Sequence, residues 1–214
     1  MESFDSLISF FAFLNENINY VVLRNFEYLP DNFRSEEHGD IDILTDDLEK
    51  LVLITGAKKV FNKSFRVQYE ITINNENVLF DFRYVGDQYY CLPWEKNILK
   101  TKVLYKNCFF VMDDENLKYS LLYHALVHKY KIAEDYKKKI NILFSYTANY
   151  KKELIIFLKK NEYSFVQPKD LSVVVNEKNV DFTPTFLCRV LYSRNSFFRG
   201  FRFVVKILHI EFLK

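Results

Sequence analysis

The run Gly39-Asp40-Ile41-Asp42-Ile43-Leu44 constrains this chain more than any other stretch. Its acidic and β-branched residues alternate with the period of a strand. Residues two apart on a strand share a face, so both carboxylates project side by side, about 7 Å apart along the backbone. A strand inside a sheet normally carries Val or Ile there, because an ionised carboxylate removed from water is costly unless something pairs with it. A hard divalent cation, Mg²⁺ before others, is the simplest partner for two adjacent carboxylates. Chemistry is therefore the first expectation for this chain.

Composition bounds that expectation. The 214 residues suffice for one large domain, or for a small core with a helical part appended. Apolar residues make up 49% and charged residues 27%, the balance of an ordinary folded protein. Only four Gly and four Pro occur, which argues against a long flexible linker. The net charge of +2 does not indicate a globally basic nucleic-acid binder, and no DNA partner is expected. Cys91, Cys108 and Cys188 form no CxxC pair, so neither a zinc site nor a disulfide framework is suggested, and a reducing cytoplasm fits best. Acidic residues in Met1-Glu2-Ser3-Phe4-Asp5 replace the basic ones of a signal peptide. No apolar run approaches the roughly 20 residues of a membrane span.

Periodicity gives the element order. Phe4, Leu7, Ile8, Phe11 and Leu14 predict an amphipathic helix over 3–17, followed by a short strand over 20–24. Residues 25–37 are polar, contain Pro30 and read as a loop. After the strand over 39–45, Asp46-Asp47 cap a helix that runs to about Thr55 and stops at Gly56. Strands are predicted over 58–61, 65–73 and 78–83, with Asn74-Asn75-Glu76-Asn77 joining the last two, and a further short one over 108–112. From Asp113 onward only helical patterns occur, over about 114–130, 133–147, 150–161, 183–193 and 196–213. The expected fold is α+β: a catalytic core over 1–112, a helical substrate-positioning part over 113–195, and a basic amphipathic C-terminal helix over 196–214.

Two metal ions need a third carboxylate. Asp81 in Val78-Leu79-Phe80-Asp81-Phe82-Arg83 is the only acid of an apolar strand. Arg83, two residues on, shares its face and could meet a phosphate. The chemistry that fits is metal-assisted phosphoryl or nucleotidyl transfer, with Asp40, Asp42 and Asp81 as ligands. One of the three could also take the proton of an acceptor hydroxyl.

A strand ending in a turn, then Gly-Asp-Ile-Asp-Ile-Leu, then a lone Asp on a later strand, resembles the nucleotidyltransferase superfamily of the DNA polymerase β type. The resemblance covers about residues 18–85. It implies a small mixed sheet with flanking helices, Mg²⁺ or Mn²⁺ as cofactor, a nucleoside triphosphate as donor, and Asp40, Asp42 and Asp81 as the metal triad. Where the family has a Gly-Ser turn this chain has Leu23-Arg24-Asn25-Phe26. Asn25 tolerates a left-handed backbone and can stand in for Gly, and Arg24 can contact phosphate in place of Ser. The narrower likeness is to small bacterial nucleotidyltransferase-family proteins, some of them companions of surface-polysaccharide biosynthesis enzymes. In such proteins a helix with basic residues helps to position nucleotide or acceptor, a role that falls here on His124, His128 and Lys129.

Each residue also has a plainer reading. Asp40 and Asp42 could face water from an edge strand, and Asp81 could simply pair with Arg83. Arg24 could be a structural ion-pair partner. His124 and His128, four apart on a helix, could be packed residues; Ala125 stands where a zinc-protease motif needs Glu. Trp94 could stack on a base or belong to the core. In the C-terminal stretch, Phe198, Phe201, Val205, Leu208 and Phe212 form one stripe and Arg199, Arg202, Lys206 and His209 another. Five Lys/Arg against one Glu from Arg194 to Lys214 suit a peripheral contact of 194–214 with an anionic membrane, as well as packing on the core or a partner.

Three functions compete. The first is a cytoplasmic, metal-dependent nucleotidyltransferase acting on a small-molecule or sugar/polysaccharide-precursor acceptor. The second is a toxin/antitoxin-type nucleotidyltransferase that modifies RNA or protein. The third is a non-catalytic module that kept the fold.

Overall fold

A computed structural model describes residues 4–32, 39–61, 67–144 and 149–192. The chain divides into two compact units: Met1–Asp87 with Leu92–Leu117, and Gln88–Cys91 with Lys118–Lys214.

The first unit opens with helix α1, Leu7–Asn17. Its start is set by Ser6, whose Oγ accepts from the Ser9 backbone N–H while Ser9 Oγ accepts from that of Ser6, each at 3.1 Å. This reciprocal capping satisfies two otherwise orphaned donors, so the helix begins four residues later than periodicity suggests. Phe4 lies outside it and bridges Ile73. Leu7, Phe10, Phe11 and Leu14 form the buried face.

A seven-stranded mixed sheet follows: β1 (Tyr20–Val22), β2 (Asp40–Thr45), β3 (Lys58–Phe61), β4 (Val67–Ile73), β5 (Glu76–Tyr84), β6 (Val103–Tyr105) and β7 (Phe109–Val111), in the spatial order β3-β4-β5-β2-β1-β7-β6. β2 runs parallel to β5 and β1 to β7; the other neighbours are antiparallel. Helix α2, Leu48–Thr55, follows β2 with Asp47 as its N-cap and Gly56, at φ +63°, as its C-cap. The β4–β5 connection is tighter than the four residues expected. Only Asn74 and Asn75 form the turn, both with positive φ, as a two-residue hairpin that matches strand twist requires.

Strand alternation sorts the side chains. Tyr20, Val22, Ile41, Ile43, Ile71, Phe80, Phe82 and Val111 share one face and form the apolar core with α1 and Leu51 of α2. Phe10 meets Phe80 at 5.2 Å between ring centroids and Phe11 meets Phe109 at 4.6 Å. Full burial of each such ring contributes roughly 1.5–3 kcal/mol. The opposite face carries Asp40, Asp42 and Leu44 on β2, Asp81 and Arg83 on β5, and Gln68 on β4.

Helix α3, Leu92–Lys100, was not expected from the sequence. Pro93 reads as a loop signal, yet in the first turn its missing N–H leaves no helical bond unmade. α3 packs against β1 and β2. Trp94 is fully buried, and its Nε1 donates to Asn116 Oδ1 at 2.8 Å, so it is a core residue and offers no ring to a base. Edge strand β6 also escaped the sequence reading, because three residues carry little periodicity. Helix α4, Asp114–Val127, starts beside Asp113, which accepts from the Asn116 backbone N–H and Nδ2 at 2.8 Å each and from Thr101 Oγ1.

The second unit holds most of α4 together with α5 (Glu134–Leu143), α6 (Tyr150–Lys160) and α7 (Phe186–Tyr192). Tyr119 and Phe157 stack at 3.8 Å, joining α4 to α6. No glycine ends α4; Asn176 Nδ2 donates to the Lys129 carbonyl at 3.1 Å and Asn179 Nδ2 to that of Leu126 at 2.9 Å. These amides satisfy carbonyls left open at the helix end. The predicted helix over 196–213 lies outside the described residues. Among the described residues no helix is long and apolar enough to cross a membrane.

Candidate metal and phosphate site

β2 is an interior strand, flanked by β1 and β5. The edge-strand reading of Asp40 and Asp42 therefore does not hold. In the parallel β2–β5 ladder Asp42 is the register partner of Asp81, with Ile41 opposite Phe80 and Ile43 opposite Phe82. Side chains opposed in register leave the sheet on the same face, from backbones about 4.8 Å apart. Asp42 and Asp81 are both buried, at 5% and 2% exposure, and Asp40 at the strand entrance is half-buried.

Each carboxylate is held. Arg24 Nη2 donates to Asp42 Oδ1 at 2.9 Å, and Arg83 Nη2 to Asp81 Oδ2 at 3.0 Å, with all four side chains buried. Gln68 Nε2 donates to Asp40 Oδ2 at 3.0 Å from β4, two strands away in the sheet. Arg24 is brought in by the end of β1, where Leu23 N–H donates to the Asp42 carbonyl at 2.9 Å. Asn25 then takes φ +56°, the left-handed conformation expected of it. Charge-assisted pairs of this kind are strong because both partners are ionised and little water screens them.

Two further buried acids belong to this unit. Glu95 of α3 accepts from the Gly86 N–H at 2.7 Å, and Asp87 accepts from the Tyr84 N–H at 3.4 Å. Among its described residues the buried carboxylates are thus Asp42, Asp81, Asp87 and Glu95, against two buried cations, Arg24 and Arg83. The sequence reading missed Gln68, Asp87 and Glu95. Gln68 was legible only as a polar residue alternating with Tyr69 and Ile71, and Glu95 carried no signal because α3 itself went unseen.

His124 and His128 lie in the second unit, buried in an aromatic cluster. Tyr89 Oη and His124 Nδ1 are 2.7 Å apart, and the Tyr89 and His128 rings lie 4.3 Å apart. Tyr123 and Tyr136 complete the packing around them. Lys129, just past the end of α4, is exposed.

The arrangement brings an all-oxygen donor set and two guanidinium groups to one sheet face. Carboxylates suit a hard cation and guanidinium groups suit phosphate. Among the described residues, no three His, Cys, Asp or Glu side chains converge closely enough to hold a metal ion, and guanidinium groups stand at Asp42 and Asp81 instead. Compared with protein-family models, with curated proteins and with solved structures, the chain matches none.

Proposed function

We propose that this protein is a metal-dependent nucleotidyltransferase that moves a nucleotidyl group from a nucleoside triphosphate to a small-molecule or sugar/polysaccharide-precursor acceptor in the cytoplasm. The observation that carries the reading is the register pairing of Asp42 with Asp81 on parallel neighbouring strands, with Asp40 two residues away on the same face. The mixed sheet, with Asp40, Asp42 and Asp81 together on the face opposite the apolar core, is compatible with that reading.

Asp40, Asp42 and Asp81 would hold Mg²⁺ or Mn²⁺, and their oxygen-only chemistry fits such an ion. When bound, the ion supplies charge neutralisation at the phosphates and activation of the acceptor hydroxyl. Arg24 and Arg83, which hold Asp42 and Asp81 in this structure, would take phosphate oxygens when these carboxylates serve as ligands. Asn25 turns the chain so that Arg24 enters from the end of β1. One carboxylate of the three would take the acceptor hydroxyl's proton.

The arginine pairs also support a second reading, a non-catalytic module in which guanidinium groups have replaced the metal for good. Thermal-shift measurements with each nucleoside triphosphate, with and without Mg²⁺ or Mn²⁺, separate the two. The transferase reading expects a metal-dependent stabilisation that Asp40→Ala, Asp42→Ala and Asp81→Ala each abolish. Stabilisation by no nucleotide under any metal condition selects the non-catalytic module.

A further inference from the structure

The two units carry opposite charge. Residues of the first number 20 Asp/Glu against 12 Lys/Arg, a net −8; those of the second number 18 Lys/Arg against 8 Asp/Glu, a net +10. The whole-chain value of +2 conceals both. A helical unit of this charge presents a strong positive field to any polyanion.

Where the cations sit narrows the choice of polyanion. On α6, Lys152, Ile156, Lys159 and Lys160 follow one another at spacings of four, three and one, which places them along one helix face. The three lysines are exposed and Ile156 is 50% exposed between them. On α5, Lys138 is four residues from Ile142, which is 77% exposed. On α7, Phe186 is 65% exposed three residues before Arg189, whose Nε lies 3.2 Å from Glu177 Oε2. A single exposed apolar residue needs no explanation. The same pairing on three helices, in a unit of net +10, does.

Single-stranded nucleic acid is gripped by cations together with aromatic rings on which bases stack. On α5 and α6 the exposed apolar residues beside the lysines, Ile142, Leu143 and Ile156, are aliphatic and offer no stacking plane; the exposed rings of the unit's described residues are Tyr130 and Phe186 alone. Branched apolar side chains flanked by lysines are instead what an interfacial helix presents to lipid, the chain in the acyl boundary and the ammonium at the headgroups. The sequence after α7 continues the theme with the basic, Phe-rich stretch 194–214. We infer that the helical unit is a docking module for an anionic membrane surface, with the α5 and α6 lysines on lipid phosphates and Ile142, Ile156 and Phe186 entering the interface. This inference stands apart from the transferase reading, because it uses none of the sheet's residues.

Co-sedimentation of the full chain with vesicles tests it. Phosphatidylcholine vesicles and vesicles with about a third phosphatidylglycerol are compared at about 0.1 M and about 0.5 M salt, spanning strong to weak screening. Binding is expected to anionic vesicles alone and to weaken at high salt. K152E/K159E/K160E should lower partitioning by about tenfold or more, since each lysine near a charged surface contributes measurably. I142D/I156D should lower it similarly; both variants alter exposed positions, and circular dichroism verifies that the helices persist. Equal binding to neutral vesicles, no binding at all, or wild-type binding by both folded variants overturns the inference. So does tight, salt-sensitive binding of poly(U) by a chain that ignores anionic vesicles.

Discussion

Asp42 on β2 and Asp81 on β5 stand directly opposite each other in parallel strands, each with an arginine within 3.0 Å. The two arginines come from different places. Arg83 shares a strand with Asp81, whereas Arg24 reaches Asp42 from the turn after β1. One pair is thus local and the other tertiary.

The tertiary pair is open to a double-mutant cycle. Arg24→Met removes a buried guanidinium from a buried carboxylate and should cost about 3–5 kcal/mol. Arg24→Met with Asp42→Leu removes both charges and should cost clearly less. Urea unfolding of the four proteins measures the coupling; a double variant as unstable as the sum of the singles contradicts the pairing.

The turn that delivers Arg24 rests on Asn25 at φ +56°. Asn25→Gly should leave the melting temperature nearly unchanged, since glycine enters that region freely. Asn25→Val should cost about 1–2 kcal/mol, because Cβ branching makes the left-handed conformation costly. Equal stability of the two variants would falsify this account of the turn.

If the transferase reading is right, Arg83 competes with the metal for Asp81. Arg83→Gln should then bind Mn²⁺ alone about tenfold more tightly than the wild type, a change of about 1.4 kcal/mol. Its affinity for a nucleoside triphosphate should fall, because a phosphate partner is gone. Titration calorimetry reads both; Mn²⁺ affinity identical in the two proteins removes the competition.

Asp113 gives a pH dependence. Burial alone would raise its pKa, but hydrogen bonds from the Asn116 N–H and Nδ2, from Thr101 Oγ1 and from the Glu115 N–H hold it below the ordinary value of 3.8. A folded-state pKa below the unfolded one means stability that is present above the unfolded value and lost as pH falls through the folded one. The stability gap between wild type and Asp113→Asn should be constant from neutral pH to about pH 5 and should shrink below about pH 4. Thermal melts across that range report it, and a gap that widens on acidification contradicts the sign.

Much of the first unit was legible along the chain. The α2 caps Asp47 and Gly56 came from local rules that tertiary contacts left alone. The alternation in β2 and β5 placed Asp40, Asp42, Asp81 and Arg83 on faces before any strand order was known. α3 was illegible because its buried Trp94 and Glu95 answer to partners outside the helix, Asn116 and Gly86, while Pro93 points locally to a loop. The start of α1 was misjudged for a related reason. Phe4 has helical spacing, yet its burial is achieved by bridging Ile73.

By itself the sequence determined that acids and apolar residues alternate in β2, that Asp81 is the lone acid of the apolar run 78–83, and that Asn25 can turn the chain. Period and backbone preference are local, and a single chain displays them. Only the tertiary structure decided that Asp42 and Asp81 are partners in register, that Gln68 reaches Asp40, and that Arg24 occupies Asp42. Those relationships depend on which strands lie side by side, and strand order follows from how the whole apolar face is buried rather than from any one segment.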